Sequence, residues 1–556
     1  MSDTITLPDM VLIANDQPVS AHRSEVELYI AAGNLGNGKY TIVRPDGQIV
    51  IDRLVVENPE PQPEPEPEPD PEPDPEPLPV TVVGMIPLPD HDPESVNWKA
   101  WVATVANRGG KANEHALIGA VTGNSWHCDM AIALAQKVVE DDTVAGNQYL
   151  TSGRLFSEVF ETLSWCEVPA QQADEWAAWG RSHLGATDGS EGDRGSKIWW
   201  KNRWSRNNPA NNYYHSFIVA TTVYAIATND TEWLDWLKTD RLKLLFDYYN
   251  RTPDGGSREG TGYGESHREV FRIAKMWRDY DGTEVIPQSF IDGSIRFWVH
   301  AICPGSNAIA PIGDQTRSKG RVDGYHCDIF DNALQLAKAP DAIALAKWQI
   351  GQFMKQGLCF SSHVFRKLVL RDYPEEAMPE NVPLLYDAQG AGVLFARTSW
   401  EADATFVFFL AGIHDEAHQH DDQGAFAVWA DGMWQTVNDS VWTRNGIAQG
   451  VEFQNVVRFP NGTNLRDREG KLTFAFDNRV LSINMDLTQV VGQLWRRYVE
   501  WGMSEKELRI VDIFDNDLAE FGFEVPSEDD EREQSISKAT ADTLQTETGF
   551  TTIVRW

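Results

Sequence analysis

The hydrophobic period changes once along this chain, and that change limits what it can fold into. From about residue 80 to 380 apolar residues recur at helical spacing. Leu155, Phe156, Val159, Phe160 and Leu163 fall on one helical face, as do Trp233, Leu234, Leu237, Leu244 and Leu245. The stretches 129–141, 215–228, 268–280, 289–301 and 340–356 repeat the pattern, and Gly/Pro/Asn/Asp-rich loops such as 184–196 and 252–262 separate them. After about residue 380 the period is two. Segments such as Ala404–Leu410, Ala425–Ala430, Val480–Met485 and Glu507–Phe514 read as strands, with turn signals at Asp431-Gly432, Asn461-Gly462 and Asp477-Asn478. A multidomain α+β chain follows: an α/α toroid or solenoid over 80–380, then an antiparallel β-sandwich over 381–556.

A second boundary lies upstream. Residues 59–79 alternate Pro with acid and hold eight acids and no base. Proline fixes the backbone and removes donors, while like charges repel, so this tract is an extended spacer rather than core. Residues 1–58 show short apolar alternation and read as a small β module for attachment or oligomerisation, an inert solubilising extension being the alternative. The spacer and the acidic stretch 511–534 supply about half of the net charge of −35. That charge argues against nucleic acid as a partner, because phosphate contacts need a basic face. No apolar run approaches the length of a membrane span. No basic region precedes an apolar stretch at the N-terminus, so no signal peptide is expected. Five scattered cysteines contain no CxxC pair, and buried free thiols are expected.

Three clusters carry chemistry. His414, His418 and His420 fall within seven residues, with Asp421 and Asp422 adjacent and Asp439 beyond the next hairpin. In extended backbone His418 and His420 share a face and can hold a metal or handle protons. A polar loop with surface histidines is the plain alternative. Asn211, Asn212, Tyr213, Tyr214 and His215 stand at a predicted helix start, where one Asn suffices as the cap. Upstream, Trp199, Trp200 and Trp204 alternate with Lys197, Lys201 and Arg203. They form either core or a groove that stacks sugars and attracts carboxylates. Arg258, Glu259, Tyr263, Glu265 and His267 occupy a Gly-rich loop, and a Tyr held there is a candidate for proton transfer.

Taken in order, these motifs resemble the heparinase II/III-like polysaccharide lyases over residues 100–515, and more distantly the helical-toroid alginate lyases. The likeness rests on His418-Gln-His420-x-Asp-x-Gly with its following strand, on Asn211-Asn212, on Glu259-Gly-x-Gly-Tyr263 and on Pro311-Ile-Gly-Asp314. It implies a toroid joined to a β-sandwich, and β-elimination on an anionic, uronate-containing polysaccharide at the cleft between them. It assigns Asn212, helped by His418, to hold the uronate carboxylate while C5 loses its proton. Tyr263 would protonate the departing O4 and, in a syn elimination, also take the C5 proton. Arg258 would lower its pKa for that role. His215 is the nearest histidine for an opposite-face base, although the family has His directly after the second Asn, where this chain has Tyr213. Asn211, Tyr213, Tyr214, Glu259 and His267 join the tryptophan groove as substrate-binding candidates. No cofactor is required for this chemistry. In zinc-bearing members a structural metal would fall to His420, Asp439 and Gln454, and the Gln is a poor zinc ligand.

Two rivals stand beside this reading. A toroid glycoside hydrolase would need two carboxylates across one bond, from Glu259, Glu265 and Asp314. A non-catalytic adhesin would bind polymer without shortening it. A β module on a spacer, with no signal peptide, also suggests a bacteriophage depolymerase, made in the cytoplasm, released by lysis or virion-associated through residues 1–58.

Overall fold

The computed structural model describes residues 11–14, 17–19, 38–43, 49–56, 83–142, 149–185, 207–315, 320–360, 371–373, 376–437, 442–443, 446–447, 449–460, 466–515, 519–521, 540–546 and 548–556. The chain divides into two compact units, Met1–Leu78 and Pro79–Trp556. The first carries a four-stranded antiparallel sheet, β1 (Val11–Ala14), β2 (Gln17–Val19), β3 (Gly38–Val43) and β4 (Ile49–Val56), in the order β2-β1-β3-β4.

In the second unit, helices come first: α1 (Val96–Arg108), α2 (Ala112–Thr122), α3 (Ser125–Asp141), α4 (Ser152–Trp165), α5 (Ala170–Leu184), α6 (Asn212–Ala227), α7 (Thr231–Trp236), α8 (Leu242–Tyr249), the single turn α9 (Gly260–Tyr263), α10 (His267–Asp281), α11 (Gln288–Ala301), α12 (Gly324–Leu336) and α13 (Pro340–Lys355). Their starts follow local chemistry. Ser95, Asn124, Asn211, Asp230 and Asp323 cap α1, α3, α6, α7 and α12 through their side chains. Packing runs from α2 and α3 to α4, then α6, α10, α12 and α13. This arc of helices is the incomplete α/α toroid, and α6 sits inside it. Every residue from Tyr214 to Ala227 is buried, as befits a helix that is apolar all round.

Two antiparallel sheets follow. The five-stranded sheet runs in sequence order: β5 (Leu385–Ala388), β6 (Val393–Arg397), β7 (Phe406–Leu410), β8 (Phe426–Ala430) and β9 (Met433–Thr436). The six-stranded sheet has the order β13-β14-β15-β16-β19-β18. Its strands are β13 (Lys471–Asp477), β14 (Val480–Asp486), β15 (Trp495–Gly502), β16 (Glu507–Phe514), β18 (Thr540–Thr546) and β19 (Gly549–Arg555). Two short ladders, β10 (Trp442–Thr443) with β11 (Gly446–Ile447) and β12 (Val457–Arg458) with β17 (Glu520–Phe521), form separate two-stranded sheets. Strands β14 to β16 alternate buried and exposed residues, so one face meets solvent. Strands β6, β7 and β8 are buried at every position, because α11 packs on this sheet from one side. Arg397 of β6 donates to the carbonyls of His300 and Ile302 and ties the sandwich to the end of α11.

The cysteines depart from expectation. Cys128 bonds to Cys166, joining α3 to the end of α4, and Cys327 bonds to Cys359, anchoring α12; Cys303 alone is a buried free thiol. The partners lie 38 and 32 residues apart, and only the helix packing brings them together.

Candidate active site

The toroid encloses a cavity of about 390 Å³. Asn212, Tyr263, Arg268 and Tyr325 are among its lining residues. Tyr263 reaches it from a loop whose glycines permit close approach. Gly260 has φ +83° and lies on the Ile312 carbonyl, and a Cβ on Gly262 would run into the Asp314 carbonyl. Loop 259–264 is thus pressed flat on loop 311–315, and the Thr261 hydroxyl donates to the Ala310 carbonyl at 2.6 Å.

His418 arrives from the sandwich side. Its ring stacks on Tyr263 with centroids 3.4 Å apart and planes 11° from parallel. Asp314 holds it in place. His418 Nδ1 donates to Asp314 Oδ2 at 2.7 Å, and His420 Nε2 donates to Asp314 Oδ1 at 2.7 Å. The Gln449 amide donates to both oxygens at 3.0 and 3.2 Å. Asp314 is fully buried. Burial pushes its carboxyl up, but the donated bonds from His418, His420 and Gln449 outweigh this and hold it at about 2. The side chain of His418 keeps 22% of its surface exposed, and its Nε2 is the nitrogen turned away from Asp314.

Asn212 is the first residue of α6 and lines the cavity, its Oδ1 without a hydrogen-bond partner among the described residues. Asn211 is the cap instead: it is fully buried and its Oδ1 accepts from the Tyr213 N–H at 2.9 Å. Tyr213 is half-buried and packs on the core. Tyr214 is core, its hydroxyl donating to the Arg241 carbonyl at 2.7 Å.

Several expected site residues are structural. His215 borders the cavity, but Nε2 donates to the Pro209 carbonyl at 2.7 Å and Nδ1 accepts from Ser266 at 3.0 Å. Burial lowers its pKa to about 4. With both nitrogens engaged it has no lone pair to offer a C5 proton. His267 is buried against Tyr249 and Phe290, and burial lowers its pKa to about 3. Arg258 is buried and ion-paired with Asp415, so its charge is matched away from any open cleft. Glu259 is only 1% exposed; burial and the charges of Glu416 and Asp314 push its carboxyl well above the usual range. His215, His267 and Arg258 pair with or pack on protein groups, and of these three only His215 lines the cavity. Trp199, Trp200, Trp204, Lys201, Arg203 and Asp439 lie outside the described residues.

Of the three metal candidates only His420 and Gln454 fall among the described residues. His420 is buried, with Nε2 on Asp314 and Nδ1 facing the Gln454 amide nitrogen at 3.5 Å. With Nε2–H given to Asp314, the Nδ1 lone pair faces the Gln454 side chain. Among the described residues no three His, Cys, Asp or Glu side chains are grouped to hold a metal.

Sequence reasoning placed Asp314 in a further loop motif and among the carboxylates of a hydrolase, not as the partner of His418 and His420, and missed Gln449 altogether. Both act at long range, 104 and 135 residues from their partners, and leave no local signature.

No family model matches the chain, and no curated protein matches it in sequence. Solved structures similar to it include a heparan sulfate lyase from Pedobacter heparinus, at TM-score 0.47 and 11% identity over 82% of this chain and 74% of that one. A heparinase III matches at TM-score 0.47 and 12% identity over 79% and 72%. The chondroitin AC lyase of Streptomyces coelicolor A3 matches at 0.41 and 11% over 84% and 78%.

Proposed function

We propose that the protein is a polysaccharide lyase that cleaves a uronate-containing polymer by β-elimination. The observation that carries this reading is Tyr263 beside Asn212 in the lining of one cavity, with His418, fixed by Asp314, stacked on the Tyr263 ring. Elimination needs three things of a protein: relief of charge on the uronate carboxylate, removal of the C5 proton and protonation of O4. The Asn212 amide N–H donates to the carboxylate without adding a charge. The Tyr263 hydroxyl donates to O4 and, as phenolate, accepts the C5 proton. This is a syn route on one face of the ring, which the engagement of both His215 nitrogens favours. Asp314 decides which nitrogen His418 turns to the substrate. That Nε2 is a donor to the carboxylate when the ring is protonated and an acceptor when it is neutral. No step is routed through a metal.

Hydrolysis is the weaker reading. Of its three candidate carboxylates, Asp314 and Glu259 are buried and only Glu265 lines the cavity. Ultraviolet absorbance on a panel of alginate, hyaluronan, chondroitin, heparan and bacterial capsules separates the two. A rise that Tyr263→Phe abolishes supports elimination. Shortening of a polymer without absorbance refutes it.

The disulfides fit work outside a reducing cytoplasm. We extend the proposal to release by host lysis, with residues 1–58 as the attachment module of a phage-borne depolymerase. Co-sedimentation with virions, lost on deletion of residues 1–79, tests this.

A further inference from the structure

The cavity is lined also by residues where α2 begins and in the first turn of α4. Four cations line the cavity: Lys111, Arg154, Arg268 and Arg272. Two of them are matched by protein carboxylates. Arg272 donates to Glu161 at 2.6 Å and to Ser157 at 2.9 Å, with Glu269 at 3.5 Å. Arg268 lies 3.3 Å from Glu269 and covers the Tyr325 ring at 3.8 Å.

Lys111 and Arg154 differ. The Lys111 ammonium makes neither a hydrogen bond nor an ion pair among the described residues, although the residue is half-buried. Arg154 keeps 51% of its side chain exposed, and Glu158 is 3.9 Å away. Burial lowers the pKa of Lys111, the charge of Glu158 opposes this, Arg154 lowers it further, and Glu114 and Glu269 raise it. Like charges facing one cavity are unfavourable unless an anion enters between them. In a chain of net charge −35, two cations lining one cavity, one without a direct bond among the described residues and one paired only at 3.9 Å with Glu158, are a specific feature rather than a background field.

We propose that Lys111 and Arg154 form an anion subsite for a sugar oxyanion one residue removed from the reacting uronate. The ligand is a sulfate ester or a second uronate carboxylate, since both place delocalised charge on oxygens that two cations can share. The inference rests on the lyase reading, because it takes the sugar at Tyr263 as its neighbour. It makes Lys111 and Arg154 specificity-determining and leaves proton transfer to Tyr263.

Binding tests it without turnover. Tyr263→Phe protein, full length, is titrated calorimetrically with tetrasaccharides of chondroitin sulfate, desulfated chondroitin, heparan sulfate, hyaluronan and alginate. Adding Lys111→Met or Arg154→Met should weaken the tightest of these about tenfold or more and reduce its salt dependence, as loss of a charge-assisted bond requires. The thermal midpoint, measured alongside, should change little, and Arg154→Met is half-exposed and so the safer fold control. Equal losses on sulfated and desulfated chondroitin identify a carboxylate; loss on the sulfated form alone identifies a sulfate ester. Unchanged affinity in the Lys111→Met/Arg154→Met pair overturns the proposal, and so does absence of binding by all five sugars. Charge-dependent binding with no ultraviolet product from the unmodified protein would sink elimination and leave the anion subsite standing.

Discussion

Asp314→Asn is the most informative single change. The carboxylate is fully buried and accepts from His418, His420 and Gln449. The distance between its ordinary 3.8 and about 2 corresponds to roughly 2 kcal/mol in favour of the charged form. Asparagine keeps one acceptor oxygen and replaces the other with a donor. That donor must face either the His418 Nδ1–H or the His420 Nε2–H, and a buried donor left unsatisfied costs about 1–3 kcal/mol. A loss of about 3 kcal/mol in stability follows. If His418 escapes the clash by moving its proton to Nε2, the nitrogen facing substrate becomes a fixed donor. A forced tautomer of this kind in a His–Asp pair lowers turnover by up to about 10⁴, and we expect at least about a hundredfold here. Initial rates by ultraviolet absorbance, a pH–rate profile and calorimetric unfolding read the three effects separately. The charged carboxylate stabilises the fold above pH 4 and loses that contribution as pH falls through about 2, so the variant should flatten the acid limb of stability. Wild-type kcat with an unaltered pH profile and midpoint would refute the role given to Asp314.

Three further outcomes are expected. Gly262→Ala should remove activity with a smaller effect on the midpoint, because the new Cβ meets the Asp314 carbonyl and lifts Tyr263 off His418; retained activity in a steady-state assay would refute the pressed-loop geometry. His215 and His267 are neutral in the fold, at about 4 and about 3 against an ordinary 6.5. The unfolded chain therefore binds more protons below pH 6.5, and stability should fall between pH 6.5 and 4 by roughly 3 kcal/mol for each, as denaturant titrations at stepped pH would record. Reduction should lower the thermal midpoint, since loops of 38 and 32 residues imply about 4 kcal/mol for each disulfide on the loop-entropy model; Cys128→Ser and Cys327→Ser, measured singly, assign the shares.

Much of the scaffold is legible without coordinates, for a local reason. Helix periods and caps depend on residues within one turn: the stretch read as 129–141 falls within the helix Ser125–Asp141, and 340–356 matches Pro340–Lys355 to one residue. Asp431-Gly432 and Asp477-Asn478 mark hairpins because their backbones must enter positive φ: Asp431 is at +53° and Gly432 at +79°, Asn478 at +49° and Arg479 at +62°. The grouping of histidines, the paired Asn and the Gly-flanked Tyr likewise announce themselves by type and order. Burial and pairing do not. Whether His215 is a base or a core residue depends on Pro209 and Ser266, which the fold brings to its two nitrogens. Whether Cys128 is a thiol or half a disulfide depends on how α3 meets α4. The Asp314 clamp joins residues more than a hundred positions apart, and the Lys111–Arg154 pair exists only because α2 and α4 line one cavity. Sequence determined the elements and the chemical kinds of side chain at the site. Tertiary packing alone decided which of them keep a free lone pair, a charge or a path to substrate, because those properties belong to the neighbours a residue acquires on folding.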